Sequence, residues 1–245
     1  MEFIRSEALS RYRQIVFGMS TRGGGRSPGG LGMNLSFNVG DDKVNVIENR
    51  RIFFGALHIG LDELAFPMQC HSNTVRSIQT WGGYEDCDGL ATNDFGVFIV
   101  ISVADCVPIF LFDPVTRAVA GVHAGWRGTS SGIAKNAVAV MKDTFGSDPR
   151  NITAFIGPAA GKCCYEVGDE VAEKFDDRFV SKTESEKWRV DMKGANRQQL
   201  ESEGILQENI EVHEGCTIHE SDKYHSYRRD GNSSGRMMGV IGIVR

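Results

Sequence analysis

The chain predicts an α/β (α+β) fold with mixed β-sheets in a single domain, residues 1–245, and three observations carry that expectation. Apolar runs of strand length alternate with segments whose apolar residues recur at helical spacing. Two runs, Phe95–Val103 and Val107–Phe112, follow each other with no room for a helix between them, which excludes a purely parallel sheet. No linker, internal repeat or low-complexity block divides the chain, and its 245 residues suffice for one buried core.

The elements follow in order. Gly23 to Gly32, with Arg22 and Arg26, is polar and glycine-rich and reads as a loop over a site; it lacks the strand-turn-helix context of a dinucleotide fingerprint. Asp41-Asp42 opens a helix from about Lys43 to Leu57, with Val44, Ile47, Phe54 and Leu57 on its apolar face and Glu48, Asn49 and Arg50 on its polar side. Cys87 to Asn93 reads as a turn around a short strand. Ala118–Val122 is a buried strand, and Ile133, Ala137, Val140, Met141 and Phe145 mark the helix after it. Ile152–Ile156 is a strand ending in Gly157-Pro158. Val167, Val171, Phe175 and Phe179 recur every four residues and predict a helix, followed by a surface loop at Lys182–Glu186. A short helix from Asn196 to about Ser202 stops at Gly204, and Ile210–Cys216 and Met237–Val244 complete the strands.

Bulk properties narrow the function. A net charge of −5 and a pI near 5.7 give no electrostatic reason to expect nucleic acid or an anionic membrane as partner. The first residues are acidic and no stretch approaches the ~20 apolar residues of a spanning helix, so a cytoplasmic location is expected. Six cysteines are too few at this length for a disulfide scaffold; reduced thiols and metal ligation suit them better. Cys163 and Cys164 are neighbours, a geometry poor for a disulfide, and read as buried structure.

The chemistry concentrates at three strand ends. In Gly121-Val122-His123-Ala124-Gly125-Trp126-Arg127-Gly128, His123 ends a strand while Arg127 and Gly128 precede a helix, a natural place for an anion such as phosphate. Cys106 follows the Phe95–Val103 run, and His71 lies in Gln69-Cys70-His71-Ser72. Two histidines and a cysteine from separate elements, with a fourth position left to water or substrate, have the composition of a catalytic zinc site. The spacing alone says little, and other readings use the same residues. Cys106 and His123 could be nucleophile and base of a thiol hydrolase with Asp105 orienting the histidine. The set is also a blue-copper core, with Met68 as axial candidate, although one such centre transfers a single electron and cannot by itself run laccase chemistry. A binding module with a structural metal would need a fourth protein ligand, for which Cys70 is the near candidate. Lys223 to Arg229 interleaves bases with aromatics and reads as a loop framing a nucleotide-like ligand.

The chain resembles the laccase-domain (YfiH-type) purine nucleoside phosphorylases, once described as multicopper polyphenol oxidoreductases. The matching stretches include Thr21-Arg22-Gly23-Gly24-Gly25, Met33-Asn34-Leu35-Ser36, Gln69-Cys70-His71, Ala104-Asp105-Cys106-Val107-Pro108, His123 to Gly128, Tyr165-Glu166-Val167-Gly168 and Ser226-Tyr227-Arg228-Arg229-Asp230. It departs where the family usually reads Gln-Val-His-Gly, having Cys70 and Ser72 around the histidine. The resemblance implies a layered α/β sandwich and His71, Cys106 and His123 as ligands of catalytic Zn2+, with copper the lesser alternative. It implies purine nucleosides and phosphate as partners: phosphorolysis of adenosine, inosine, guanosine and methylthioadenosine, with adenosine deamination beside it. The enzyme is expected to act as a monomer or homodimer. Cys106, His123 and Asp105 are the catalytic candidates; Arg22, Asn34, Gln69, Arg127 and Arg228 are the candidates for substrate and phosphate, with Glu166 in support.

Overall fold

Alternation within the apolar runs decides which surfaces meet. In Val107–Asp113, Val107, Ile109 and Leu111 belong to one buried cluster while Phe110 and Phe112 belong to another. Phe98–Val103 divides likewise, Ile99, Ile101 and Val103 facing the same cluster as Phe110, and Phe98 and Val100 facing a third. Strands buried on both faces have no polar side, which is why these segments read as unbroken apolar runs.

The computed structural model describes residues 3–244 and places these strands in two six-stranded sheets stacked face to face. The first has the spatial order Phe3–Ile4, Ile15–Ser20, Met237–Ile243, Phe98–Val103, Leu64–Pro67, Gly82–Tyr84. The second runs Ile210–Val212, Thr153–Ile156, Val107–Asp113, Ala118–Ala124, Gly89–Thr92, Val75–Ser77. Both are mixed: in the first, Leu64–Pro67 lies parallel to its neighbours whereas Met237–Ile243 is antiparallel to both of its own. In the second, Thr153–Ile156 pairs parallel with Ile210–Val212 and antiparallel with Val107–Asp113. The layer between the sheets is rich in phenylalanine, and burying each of Phe110, Phe112 and Phe155 contributes about 1.5–3 kcal/mol. Helix Lys43–Ala56 covers the outer face of the first sheet; helices Ile133–Phe145 and Met192–Ser202 cover that of the second. The result is a layered α/β sandwich with mixed sheets, as the resemblance implies.

Several local expectations change. Helix Lys43–Ala56 has the anticipated bounds and starts on Asp42, whose side chain accepts from Val44 N–H. Of its expected apolar residues Phe54 and Leu57 are buried, but Val46 and Phe53 complete the buried face, while Val44 is 72% exposed and Ile47 is exposed too. Asn49 is buried too, because its amide donates to Ser27 Oγ and to the carbonyls of Gly32 and Asn34. Those bonds fasten the Gly23–Gly32 segment to the helix, and none of its residues lines the cavity at the site. The spacing from Val167 to Phe179 does not produce one continuous helix, only the short α-helix Asp169–Ala172 and a 3-10 turn at Asp177–Phe179. Val167 instead pairs with Trp188 in a small third sheet of Glu166–Val167, Trp188–Val190 and Val180–Lys182. Cys163 is exposed rather than buried.

Several short connections cross between the two sheets, and a three-residue one lies at the end of the sandwich that carries the site. Val103 ends a strand of the first sheet and Val107 begins one of the second, so Ala104-Asp105-Cys106 crosses from one to the other. Asp105 takes φ +88° there, and its carbonyl accepts from Ala160 N–H.

Candidate metal centre and anion pocket

Three chain segments converge at that end. Cys106 comes from the sheet crossing, His123 from the strand beside it, where it lies opposite Pro108, and His71 from the loop after Leu64–Pro67. Their ligand atoms all lie within 4.8 Å of one another, and the two imidazole rings meet edge to face with centroids 5.0 Å apart. Gly125 forms the floor: a Cβ there would stand 2.9 Å from the His71 ring and 3.3 Å from Cys106 Sγ. Two nitrogens and a sulfur around a space that one methyl group would fill suit a tetrahedral ion keeping one exchangeable place.

A carboxylate that the sequence does not single out organises this group. Asp88, fully buried, faces His123 Nδ1 at 2.7 Å and accepts from the backbone N–H groups of Cys70, His71 and Ser72 and from the Ser72 hydroxyl. It therefore fixes the histidine's orientation and shapes the loop carrying the other. Burial alone would raise the Asp88 carboxyl; the His123 and Ser72 hydrogen bonds overcome it and hold the group well below the usual carboxylate range. The residues that depart from the family pattern both serve this carboxylate: Ser72 binds it twice, and Cys70 Sγ lies 3.4 Å from it. Cys70 is not part of the ligand group, so the donor set is His71, Cys106 and His123, without the fourth ligand that a closed structural site needs.

Without an ion the two inner ligands polarise one another. Burial opposes charge on both, yet the adjacent imidazole pulls the Cys106 thiol down and the thiolate, with Asp88, pushes His123 up. Each charge thus favours the other.

The ligands open onto a cavity of about 840 Å³ that includes three guanidinium groups. Arg228 lies over Tyr165 and donates to the Glu166 carbonyl. Arg236 reaches the carbonyls of Ser234 and Gly235, and Arg50 donates to Leu35 O between the rings of Phe37 and Phe66. None makes a carboxylate ion pair among the described residues. Burial lowers Arg50 to about 10, still charged at neutral pH, and lowers Arg236 as well.

The sequence candidates divide by this cavity. Gln69, Asp105 and Arg228 line it. Gln69 bonds both the N–H and the carbonyl of Ser102; Asp105 accepts from the Thr217 hydroxyl and from Arg228 N–H, so it is not the partner of His123. Asn34 sits behind the wall, where its side chain positions the lining residues Ser36 and Arg236 through their N–H groups. Arg22 is spent on the carbonyls of Gly30 and Ser221 and on Asp230, outside the lining. Arg127 falls within a separate one-turn helix, Trp126–Ser130, where it is exposed, stacks on Trp126 and does not line the cavity. Arg236 and Asp88 carry no local signal, and Arg50, in the family-like stretch Glu48-Asn49-Arg50, is marked there without a role. Only the burial of an acid preceding a strand could have singled out Asp88, and its partners lie far off in sequence.

The chain is 32% identical over 248 residues to the purine nucleoside phosphorylase YlmD of Bacillus subtilis, covering 94% of this chain and 89% of that one. It is 36% identical over 231 residues to the adenosine deaminase RL5 of an unknown prokaryotic organism, covering 87% of each. The crystal structure of YlmD from Geobacillus stearothermophilus superposes with a TM-score of 0.93 at 32% identity, over 100% of this chain and 97% of that one. Residues 16–244 match the family described as multi-copper polyphenol oxidoreductase laccase, and the chain belongs to that family, the one in which the YlmD and YfiH-type proteins fall.

Proposed function

We propose that this protein is a zinc-dependent purine nucleoside phosphorylase. It would cleave adenosine, inosine, guanosine and methylthioadenosine with phosphate to the free base and ribose 1-phosphate, with adenosine deamination as a side activity. One observation carries the reading: a His–Cys–His donor set shares a cavity with three arginines that lack carboxylate partners among the described residues. The names of the relatives supply the substrate class.

Phosphorolysis breaks the bond between the purine and the anomeric carbon and forms one from that carbon to a phosphate oxygen, so phosphate must be held in line and its charge balanced. Arg228, Arg236 and Arg50 supply that charge. Arg228 is fixed at its backbone by Asp105, which thereby acts as a positioning residue. Phe37, Phe66 and Tyr227 offer apolar and aromatic surface for a purine. Burial raises the Tyr165 phenol to about 12, keeping it protonated and able to donate a hydrogen bond. When held by His71, Cys106 and His123, zinc supplies a Lewis acid at the cavity wall.

A second reading has its own support: Cys106, His123 and Asp88 form a nucleophile–base–orienter chain, with Asp88 rather than Asp105 orienting the histidine. Assaying inosine with and without phosphate, before and after chelation, separates the two. The phosphorylase requires phosphate to release hypoxanthine and is silenced by the chelator. Chelator-resistant, phosphate-independent turnover that thiol alkylation abolishes would establish the hydrolase.

A further inference from the structure

A second group of soft donors lies apart from the His71–Cys106–His123 set. The Sγ atoms of Cys163, Cys164 and Cys216 all lie within 4.8 Å of one another, and all three thiols are free. Several contacts hold them together. Ala159 and Cys216 pair as an isolated parallel bridge, and Thr217 N–H donates to Ala159 O at 3.0 Å. The N–H groups of Cys164 and Tyr165 both close on the Gly161 carbonyl at 2.9 Å, turning the chain so that Cys163 and Cys164 face Cys216. Gly161 N–H points at Cys216 Sγ at 3.3 Å, and a Cβ on Gly161 would stand 3.2 Å from Cys163 Sγ and 3.3 Å from Cys216 Sγ. The backbone is thus pressed against two sulfurs, and glycine is what lets it approach so closely. Lys193, mostly buried, donates to the carbonyls of His213, Glu214 and Gly215, and its charge acts on Cys216 and Cys163.

We propose that these three cysteines form a second metal site, taking a thiophilic d10 ion of the Zn(II), Cd(II) or Cu(I) class. Sulfurs each about 2.3 Å from a common ion stand about 4 Å apart, close to the present arrangement. The donors are all sulfur, which selects soft ions over Mg(II) or Ca(II). Each thiol gives up its proton on binding: a divalent ion and three thiols yield one trithiolate complex of net charge −1 and three protons. The Lys193 ammonium balances that remaining charge, and exposed Cys163 provides the entry path. Because Cys164 precedes Tyr165 and Cys216 precedes Thr217, the partner of Asp105, an ion here would tie together two walls of the cavity.

The test is titration of the reduced, metal-stripped full chain with Cd(II), following bound equivalents by equilibrium dialysis and thiolate-to-cadmium charge transfer by near-ultraviolet absorbance. The wild type is expected to bind two equivalents with absorbance for four Cd–S bonds. Cys106→Ala should keep the equivalent that carries three of those bonds, and Cys163→Ser should weaken that same equivalent about tenfold or more while leaving the other intact. The exposed position of Cys163 makes that variant a safe one for folding, and its retained first equivalent verifies the fold. One equivalent in the wild type, or a second equivalent unmoved by Cys163→Ser and Cys164→Ser alike, would overturn the proposal.

Discussion

Asp88 Oδ1 lies 2.7 Å from His123 Nδ1 and also accepts the backbone N–H of His71 at 3.0 Å. One carboxylate oxygen thus positions two of the three ligands. Asp88→Asn keeps the shape but leaves a single acceptor oxygen and no charge. It should weaken metal binding roughly 10–100-fold, the usual loss when a carboxylate behind a histidine ligand is removed. Competition against a chromophoric chelator measures this; unchanged affinity would show that the carboxylate matters only for loop shape.

Gly125 allows a sharper steric experiment. Its φ of −70° is open to any residue, so alanine brings no backbone penalty, yet the new Cβ would stand 2.9 Å from the His71 ring. Gly125→Ala should lower metal affinity and phosphorolysis together while barely shifting thermal stability. Full activity in that variant would mean that the ring can retreat without losing its ligand position.

Arginine replacements test where phosphate binds. Removing one charge-assisted contact costs about 1.5–3 kcal/mol, so Arg228→Ala and Arg236→Ala should each raise the KM for phosphate roughly 10–150-fold. Arg127→Ala should leave it unchanged, because that side chain is exposed and stacked on Trp126 outside the cavity. The opposite ranking would return the anion site to the helix start after His123.

His225 predicts a pH effect on folding. Burial, reinforced by Arg22 and Arg236, lowers it to about 3, and neither ring nitrogen has a hydrogen-bond partner among the described residues. Its folded value lies below the unfolded one, so between them the unfolded chain binds the extra proton. The stability that the neutral ring permits is present above about 6.5 and is lost as pH falls from there toward about 3. The loss approaches about 1.4 kcal/mol per pH unit. Denaturant titrations at descending pH should show this slope in the wild type and a shallower one in His225→Gln; parallel slopes would assign acid lability elsewhere.

How much of the structure is legible in the sequence depends on how local its cause is. Val107–Asp113 and Ala118–Ala124 are visible because a strand buried on both faces needs an unbroken apolar run. The span of helix Lys43–Ala56 is visible and so is the burial of Phe54 and Leu57, but the exposure of Val44 and Ile47 is not, since Asn49 is drawn inward by Ser27, Gly32 and Asn34. Val167, Val171, Phe175 and Phe179 imitate a helix because their spacing cannot reveal that Val167 is captured by Trp188. His71, Cys106 and His123 emerge from motif resemblance and donor chemistry. Asp88 does not, since its role exists only once three separate segments have met around it.

Cys106 stands at the end of a three-residue bridge whose two ends are anchored in opposite halves of the sandwich. Its sulfur cannot drift while both halves stay assembled, and once either half comes apart the thiol is released with it. In metal-free protein the three donor atoms therefore stay gathered for as long as the two sheets remain docked, and they disperse when the sheets part.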